Sequence, residues 1–168
     1  MSHFQMALQA AVIARLKADT GTGGLFNVTT PLVTGASVDF NPARQTLPFI
    51  TYVPTLMSNF DAVGTRCREC EFDIHVWIQA SPENSSGSSA AFDPLVREDA
   101  IVSRIYGNWP AVGVGVSPGY GLDRFKPDIT SSGWTADTLR NTSDRRNADE
   151  TIIQHTISFR CLVSEVSV

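Results

Sequence analysis

The chain has 168 residues, a length that suits a single domain with a substantial hydrophobic core. Apolar residues make up 42% and charged residues 18% of the chain, and the net charge is −4 without any basic run. This balance is typical of a globular protein and argues against a dedicated DNA- or RNA-binding protein. Since neither a signal peptide nor an apolar run of about 20 residues is visible, we expect a cytosol-like compartment and no membrane contact.

The first third of the chain predicts one helix followed by strands and irregular connections. Residues 2–18 carry a helical apolar stripe, and Ser2 with Gln5 fits a capping box at the start of that helix. A short strand is expected at 25–28 and another at 47–53, separated by a segment with scattered Gly and Pro. This part therefore supplies one amphipathic helix and the first strands of a sheet.

The middle of the chain predicts a strand followed by a second helix. Alternation of polar and apolar residues predicts a strand over 69–80. After a Ser-rich connection, Asp93 and Pro94 form a typical N-cap and first helical position, and Gly107 ends the predicted helix at 94–106. The residues of this helix expected to face the core are Leu95, Ile101, Val102 and Ile105.

The C-terminal part predicts two strands around a polar segment. Residues 122–134 are a strand candidate interrupted by Pro127, and 151–163 is the most regular strand pattern in the chain. Between them, the polar segment 135–150 predicts an extended hairpin tip or a loop that becomes ordered on contact with a partner. His155 falls in the apolar row of the last strand, which favours a half-buried structural histidine.

Together these elements predict one α+β domain spanning residues 1–168. The expected sheet is antiparallel, or mixed, and has about four to five strands. Both helices are expected on one of its faces, which leaves the other face polar. Long loops are expected at 29–46, 54–68, 81–92, 108–121 and 135–150.

The three cysteines, Cys67, Cys70 and Cys161, do not predict a disulfide framework, because their number is odd. The first two form a C-x-x-C motif. It lacks the further ligands that a zinc site needs, and it runs into a strand rather than opening a helix as a redox motif does. We therefore expect a loop thiol at Cys67 and two small buried side chains at Cys70 and Cys161.

One row of side chains, on the strand at 69–80, has the composition of a chemical site. Glu71, Asp73 and His75 alternate along it, and alternate residues lie about 6–7 Å apart, close enough for two of them to bind one metal ion. The same alternation is typical of a strand with one buried face, and this interpretation is favoured because no further ligands match the row. Trp77 continues the row and indicates a protein interface, where aromatic residues are enriched.

The sequence shows no motif for nucleophilic catalysis or phosphate binding. It contains no G-x-S-x-G, and no recognisable motif pairs a histidine with Cys67. The Gly-rich segment 108–121 lacks the Lys and the following helix of a phosphate-binding loop. We therefore expect neither enzymatic activity nor a cofactor.

Five stretches carry a resemblance to a known family: ALQAAVIARLKAD, LPFITYV, ECEFDIHVWIQAS, VREDAIVSRIYG and ETIIQHTISFRCLVSE. They resemble the tail-completion proteins of long-tailed bacteriophages, also called tail terminators or tail-to-head joining proteins. The family's "LP-aromatic", "H-V-W" and "F-R" strands correspond here to Leu47–Phe49, His75–Trp77 and Phe159–Arg160. The resemblance extends over about the whole chain and rests on folding patterns rather than catalytic signatures.

The resemblance implies a structural protein of the virion neck, assembled in the host cytoplasm. Proteins of this family form a hexameric ring that caps the finished tail tube and joins it to head-closure or adaptor proteins. The ring surrounds the path of the genome DNA, which passes without sequence-specific binding. A net charge of −4 agrees with a channel to which DNA does not adhere.

The surfaces that contact other subunits or partners are predicted from this interpretation. The candidate residues are Phe60, Glu71, Asp73, His75, Trp77, Trp134, Arg145, Arg146 and Arg160. Two alternatives stay open at this stage. One is another neck component, such as a head-closure protein, and the other is a small metal-binding protein or enzyme that uses Glu71, Asp73 and His75.

Overall fold

The structure, a computed structural model, describes residues 3–39, 41, 45–59, 64–80, 93–107 and 121–166. The helices within these residues are α1 (His3–Lys17) and α2 (Pro94–Tyr106). The strands are β1 (Gly35–Ser37), β2 (Phe49–Asn59), β3 (Cys67–Gln79), β4 (Trp134–Ala136), β5 (Arg140–Ala148) and β6 (Ile152–Glu165). Neither helix of the described chain is long and apolar enough to cross a membrane.

One mixed sheet contains all six strands of the described residues. β2 lies between β1 and β3, β3 pairs with β6, and both β4 and β5 pair with the other edge of β6. The β1–β2 pair is parallel over three residues, and the other pairs are antiparallel. The α+β class agrees with the sequence-based expectation, but the sheet is larger than the four to five strands expected.

The central pair of the sheet, β3 with β6, supplies much of the core through strict alternation. The buried residues of these two strands include Cys70, Phe72, Ile74, Val76, Ile78, Ile153, Ile157, Phe159, Cys161 and Val163. Phe72 and Phe159 face each other across the pair, with ring centroids 5.8 Å apart. Full burial of each such ring stabilises the fold by about 1.5–3 kcal/mol. The alternation predicted for both strands is confirmed.

The two helices add their apolar stripes to the same core. Their buried members are Phe4, Leu8, Val12, Leu16, Ile101 and Ile105. α2 has the predicted bounds because Asp93 caps it, accepting from the backbone N–H of Leu95 at 2.9 Å. Gly107 ends it with φ at 77°, a left-handed conformation that favours glycine. Leu95, predicted to face the core, is 60% exposed, because the buried stripe of α2 begins one turn later at Glu98.

The polar segment 135–150, expected to be an extended hairpin tip or a loop ordered on contact, contains β5, which forms a hairpin with β6. This strand pairs with β6 along most of its length, so the backbone groups facing β6 are satisfied without an apolar row. The predicted strand at 122–134 is wrong. A 3-10 helix occupies Thr130–Ser132, and β4 begins only at Trp134. The expected short strand at 25–28 is replaced by turns.

Two further predicted loops contain strand residues. β2 continues to Asn59 and β3 already begins at Cys67, so the loop expected at 54–68 is largely a pair of hydrogen-bonded arms. Cys67 is therefore a strand residue rather than a loop thiol. β1 lies inside the segment expected to be irregular at 29–46. The loop expected at 81–92 lies outside the described residues, and so does the loop expected at 108–121 except for its last residue.

Replacing Asp93 with Ala should lower the free energy of unfolding by about 1 kcal/mol, because backbone N–H groups at the start of α2 lose their acceptor. Urea unfolding followed by circular dichroism measures this change. Asp99→Ala removes the same charge from an exposed position of α2 and should change stability by less than about 0.5 kcal/mol. Equal losses in the two variants would show that net charge, not the cap, is responsible.

Candidate functional site

The acidic row of β3 lies on the face of the strand opposite its core residues. We call this surface the polar face. Its central residues are Thr51 of β2, Glu71, Asp73, His75 and Trp77 of β3, Gln154, Thr156 and Ser158 of β6, and Arg145 of β5. Register brings them together, since His75 is opposite both Thr51 and Thr156, and Asp73 is opposite Ser158.

Asp73 is the centre of the polar face and is only 8% exposed. Ser158 donates its hydroxyl hydrogen to Asp73 Oδ1 at 2.6 Å, and Arg145 Nη2 lies 3.3 Å from Asp73 Oδ2. The Ser158 hydroxyl in turn accepts from Ser143 at 2.9 Å. These contacts join β3, β6 and β5, so the carboxylate that looked like a candidate catalytic group links three neighbouring strands.

His75 extends the network along β3. Gln154 Nε2 lies 2.8 Å from His75 Nδ1, and His75 Nε2 lies 3.7 Å from Asp73 Oδ2. Burial lowers the pKa of His75 below its ordinary value, and the nearby Arg145 charge adds to this, while Asp73 acts in the opposite direction. With Gln154 oriented as a donor, the neutral ring accepts at Nδ1 and carries its proton on Nε2, towards Asp73.

The margins of the polar face are more open than its centre. Trp77 is half-buried, and its Nε1 donates to Thr51 Oγ1 at 3.0 Å. Glu71 is also half-buried, whereas Arg160 is exposed and lies 3.0 Å from Glu69 in an ion pair. Trp77, Glu71 and Arg160 therefore surround the Asp73 network and present accessible side-chain atoms to another molecule.

Within the residues that the structure describes, the row forms neither a metal-binding cluster nor a serine nucleophile. In the part of the chain that the structure describes, no three His, Cys, Asp or Glu side chains are arranged to hold a metal ion. Ser158 donates to a carboxylate rather than to a histidine, which is not the arrangement that activates a serine nucleophile. The row is instead a satisfied hydrogen-bond network with an accessible rim.

The remaining candidate residues lie elsewhere. Trp134 packs against Phe4 of α1, with ring centroids 4.7 Å apart, so it belongs to the helix side. Arg146 follows Arg145 in β5 and therefore points to the opposite face, where its Nε lies 2.9 Å from Glu98 of α2. Phe60 lies outside the described residues. The structure thus unites Glu71, Asp73, His75, Trp77, Arg145 and Arg160, but not Trp134 or Arg146.

A second charged cluster, on the helix side of the sheet, was missed in the sequence. Its centre is Glu98, which is 5% exposed and contacts both Arg146 and His155, the latter through Nδ1 at 2.7 Å. The other ring nitrogen of His155 contacts Asp144, which also accepts from the Tyr106 hydroxyl at 2.6 Å. The imidazole of His155 is thus held between two carboxylates, one from α2 and one from β5.

One signal for this cluster was present in the sequence. Glu98 falls at helical spacing from Ile101 and Ile105, on the apolar stripe of α2, where a carboxylate needs a buried partner.

In the folded protein, burial raises the pKa of Tyr106, and the hydrogen bond to Asp144 acts in the same direction. The tyrosine therefore remains a neutral donor at physiological pH.

Comparisons with known proteins complete the description. No protein-family model and no curated protein matches the chain. Among solved structures, the chain is similar to one from a "Virion of native gene transfer agent (GTA) particle". The match covers 95% of this chain and 96% of that one, with a TM-score of 0.56 and 14% sequence identity.

The two chains share one fold. The likeness extends over nearly the full length of both chains. At 14% identity it establishes the fold alone, and function has to be argued from the surfaces.

Asp73→Ala should lower the free energy of unfolding by about 2 kcal/mol, because the part-buried Ser158 hydroxyl of β6 and the Arg145 guanidinium of β5 lose their acceptor. Glu71→Ala, on the same face of the same strand, is the matched control and should cost less than about 1 kcal/mol. Urea unfolding of both variants measures the difference. A nearly neutral Asp73→Ala variant would contradict the structural role of this carboxylate.

The imidazole of His75 should titrate below the ordinary histidine value of about 6.5, because its charged form is desolvated in the fold. On acidification the unfolded chain takes up this proton at a higher pH than the folded protein does. The contribution of His75 to the free energy of unfolding is therefore complete above about pH 6.5 and is lost as the pH falls below that value. Proton NMR identifies the signals as those that disappear in His75→Gln. A midpoint at or above 6.5 would refute the burial argument.

Proposed function

We propose that the protein is a structural component of a phage virion, with its place at the neck. In this proposal several copies form a ring that caps the tail tube and joins it to the head around the path of the DNA. The observation that carries the proposal is the full-length fold similarity to a chain of a virion. The family resemblance of the sequence supplies the finer assignment to a tail terminator and to a hexamer.

The open edges of the sheet support a ring. A closed ring of identical subunits needs two different surfaces on each copy that fit each other. β1 covers only three residues of the outer edge of β2, and among the described residues no strand pairs with the outer edge of β5. The sheet thus presents two different edges at its opposite sides, as a head-to-tail contact requires.

The polar face is the proposed contact or channel-facing surface of that ring. Glu71, Trp77 and Arg160 supply its accessible rim, while Asp73, His75 and Arg145 hold the strands beneath them in register. Trp134 and Arg146 support the surface only indirectly, through packing and ion pairs on the helix side. A half-buried aromatic beside charged residues is the usual composition of an interface margin.

The charge of the protein suits a channel for DNA. The net charge is −4, and Glu69 and Glu71 lie next to each other on the polar face. Arg160 is already paired with Glu69, so its charge is partly neutralised. The cations of this face are Arg140, Arg145 and Arg160, and they are matched by Glu69, Glu71 and Asp73. Phosphate groups would therefore meet no net positive charge there, and DNA would pass without being retained.

The protein mixed with purified tail tubes of its own phage should form ring-shaped density at one end of each tube in negative-stain micrographs. Glu71→Lys should raise the protein concentration that caps half of the tubes by about tenfold, since a loss of about 1.4 kcal/mol changes the binding constant by this factor. Asp99→Lys, on exposed α2, is the matched charge reversal and should cap tubes normally.

The outcomes separate the parts of the proposal. Absence of end density with the unsubstituted protein would refute the neck-ring function, and binding to the head portal instead of the tube would favour the head-closure alternative. If Glu71→Lys capped tubes normally, the ring proposal would stand, but the polar face would not be one of the contact surfaces of the ring.

A further inference from the structure

Two of the three thiols are brought face to face by the register of β3 and β6. Cys70 and Cys161 are directly opposite partners in this antiparallel pair, 91 positions apart in the chain. Both lie in the core, 4% and 3% exposed. Opposite residues of antiparallel strands have Cα atoms about 4.5 or 5.5 Å apart, and both values fall within the range of about 4.4–6.8 Å found in disulfides.

The C-x-x-C motif of the sequence does not form such a pair. Cys67 and Cys70 are three residues apart in β3, so their side chains point to opposite faces of the sheet. Their Cα atoms lie about 10 Å apart at the rise of about 3.3 Å per residue, beyond the reach of a disulfide. Cys67 is opposite Ser164 instead.

We propose that Cys70 and Cys161 are an oxidation site at which a small-molecule disulfide, such as oxidised glutathione, converts the two thiols into a cross-strand disulfide. The bond would join the two central strands of the sheet within its core. This disulfide is inferred from the register of β3 and β6, and it does not depend on the proposed function.

The reaction is a thiol–disulfide exchange in two steps. One cysteine thiolate attacks a sulfur of oxidised glutathione, which breaks the S–S bond and releases one glutathione thiolate. The second cysteine thiolate then attacks the protein sulfur of the mixed disulfide and releases the second glutathione. The two protein thiols lose two protons and two electrons, and oxidised glutathione takes them up as two reduced molecules.

The surroundings of the pair make this oxidation slow. Burial raises the pKa of Cys70 to about 11 and that of Cys161 to about 12, so the reactive thiolate is scarce at neutral pH. Each cysteine also lies within electrostatic reach of buried Tyr52, whose pKa is raised mainly by burial and further by both thiols. The fold thus protects the thiols in a reducing cytosol, and oxidation needs transient separation of β3 from β6.

The expected consequence is a more stable protein in an oxidising medium. A bridge between residues 70 and 161 closes a large loop of the unfolded chain, which removes much of its conformational freedom. A virion protein, as proposed above, would meet such a medium when particles leave the cell. Oxidation would then strengthen a component that has already been assembled in its reduced form.

The test is to refold the reduced full chain in a glutathione redox buffer, block the remaining thiols with iodoacetamide and map the tryptic peptides by mass spectrometry. Cleavage after Arg66, Arg68, Arg97 and Arg160 places the three cysteines in separate peptides. We expect the peptide 69–97 linked to 161–168, with Cys67 alkylated. The oxidised protein should melt about 5–10 °C above the reduced protein.

Substitutions identify the bridge. Cys67→Ser should keep both the linked peptides and the redox dependence of the melting temperature, whereas Cys70→Ala and Cys161→Ala should lose both. Three alkylated cysteines in the refolded protein, or a bridge that includes Cys67, would overturn the proposal. Should an alanine variant fail to fold, the peptide map of the unsubstituted protein decides by itself.

Discussion

The buried carboxylate of Asp73 holds β5 to the sheet in addition to the backbone pairing of β5 with β6. A buried charge is costly unless it is fully hydrogen-bonded, and Asp73 meets this requirement with groups from β5 and β6. β5 has no apolar row of its own and is held at both faces by its consecutive arginines. Arg145 contacts Asp73 on the polar face, and Arg146 contacts Glu98 of α2 on the other. The polar edge of the fold is therefore organised by paired charges.

The sequence predicted the elements whose stabilisation is local or periodic. The bounds of α2 follow from its caps, and β3 and β6 follow from alternation, because each of these signals lies within the element itself. β5 was missed because it has no apolar row, and the carboxylate that its Arg145 contacts, Asp73, lies 72 positions away. The register that makes Asp73 a link between strands, and Cys70 a neighbour of Cys161, likewise appears only when the strands are paired.

In the structure, the acidic row on β3 has a structural role at its centre and accessible side chains at its margins. As a list of residues it suggested a metal site or a solvated strand face, but its central carboxylate is buried and its histidine has a lowered pKa. The row divides into a structural centre and an accessible rim. In the proposed ring, the accessible side chains of Glu71, Trp77 and Arg160 would contact another subunit. Substitutions at Asp73 would therefore combine effects on folding with effects on assembly, so the rim is where assembly is best tested.

In the proposed ring, the polar face is a contact or channel-facing surface. Cryo-electron microscopy of the protein bound to the ends of tail tubes tests this claim most directly, because it gives the symmetry and orientation of the subunits together. The account predicts a closed ring coaxial with the tube, with β3 turned towards a neighbouring subunit or the channel. A ring whose polar face is turned to the outside and contacts no other subunit, or tube ends without any ring, would contradict it.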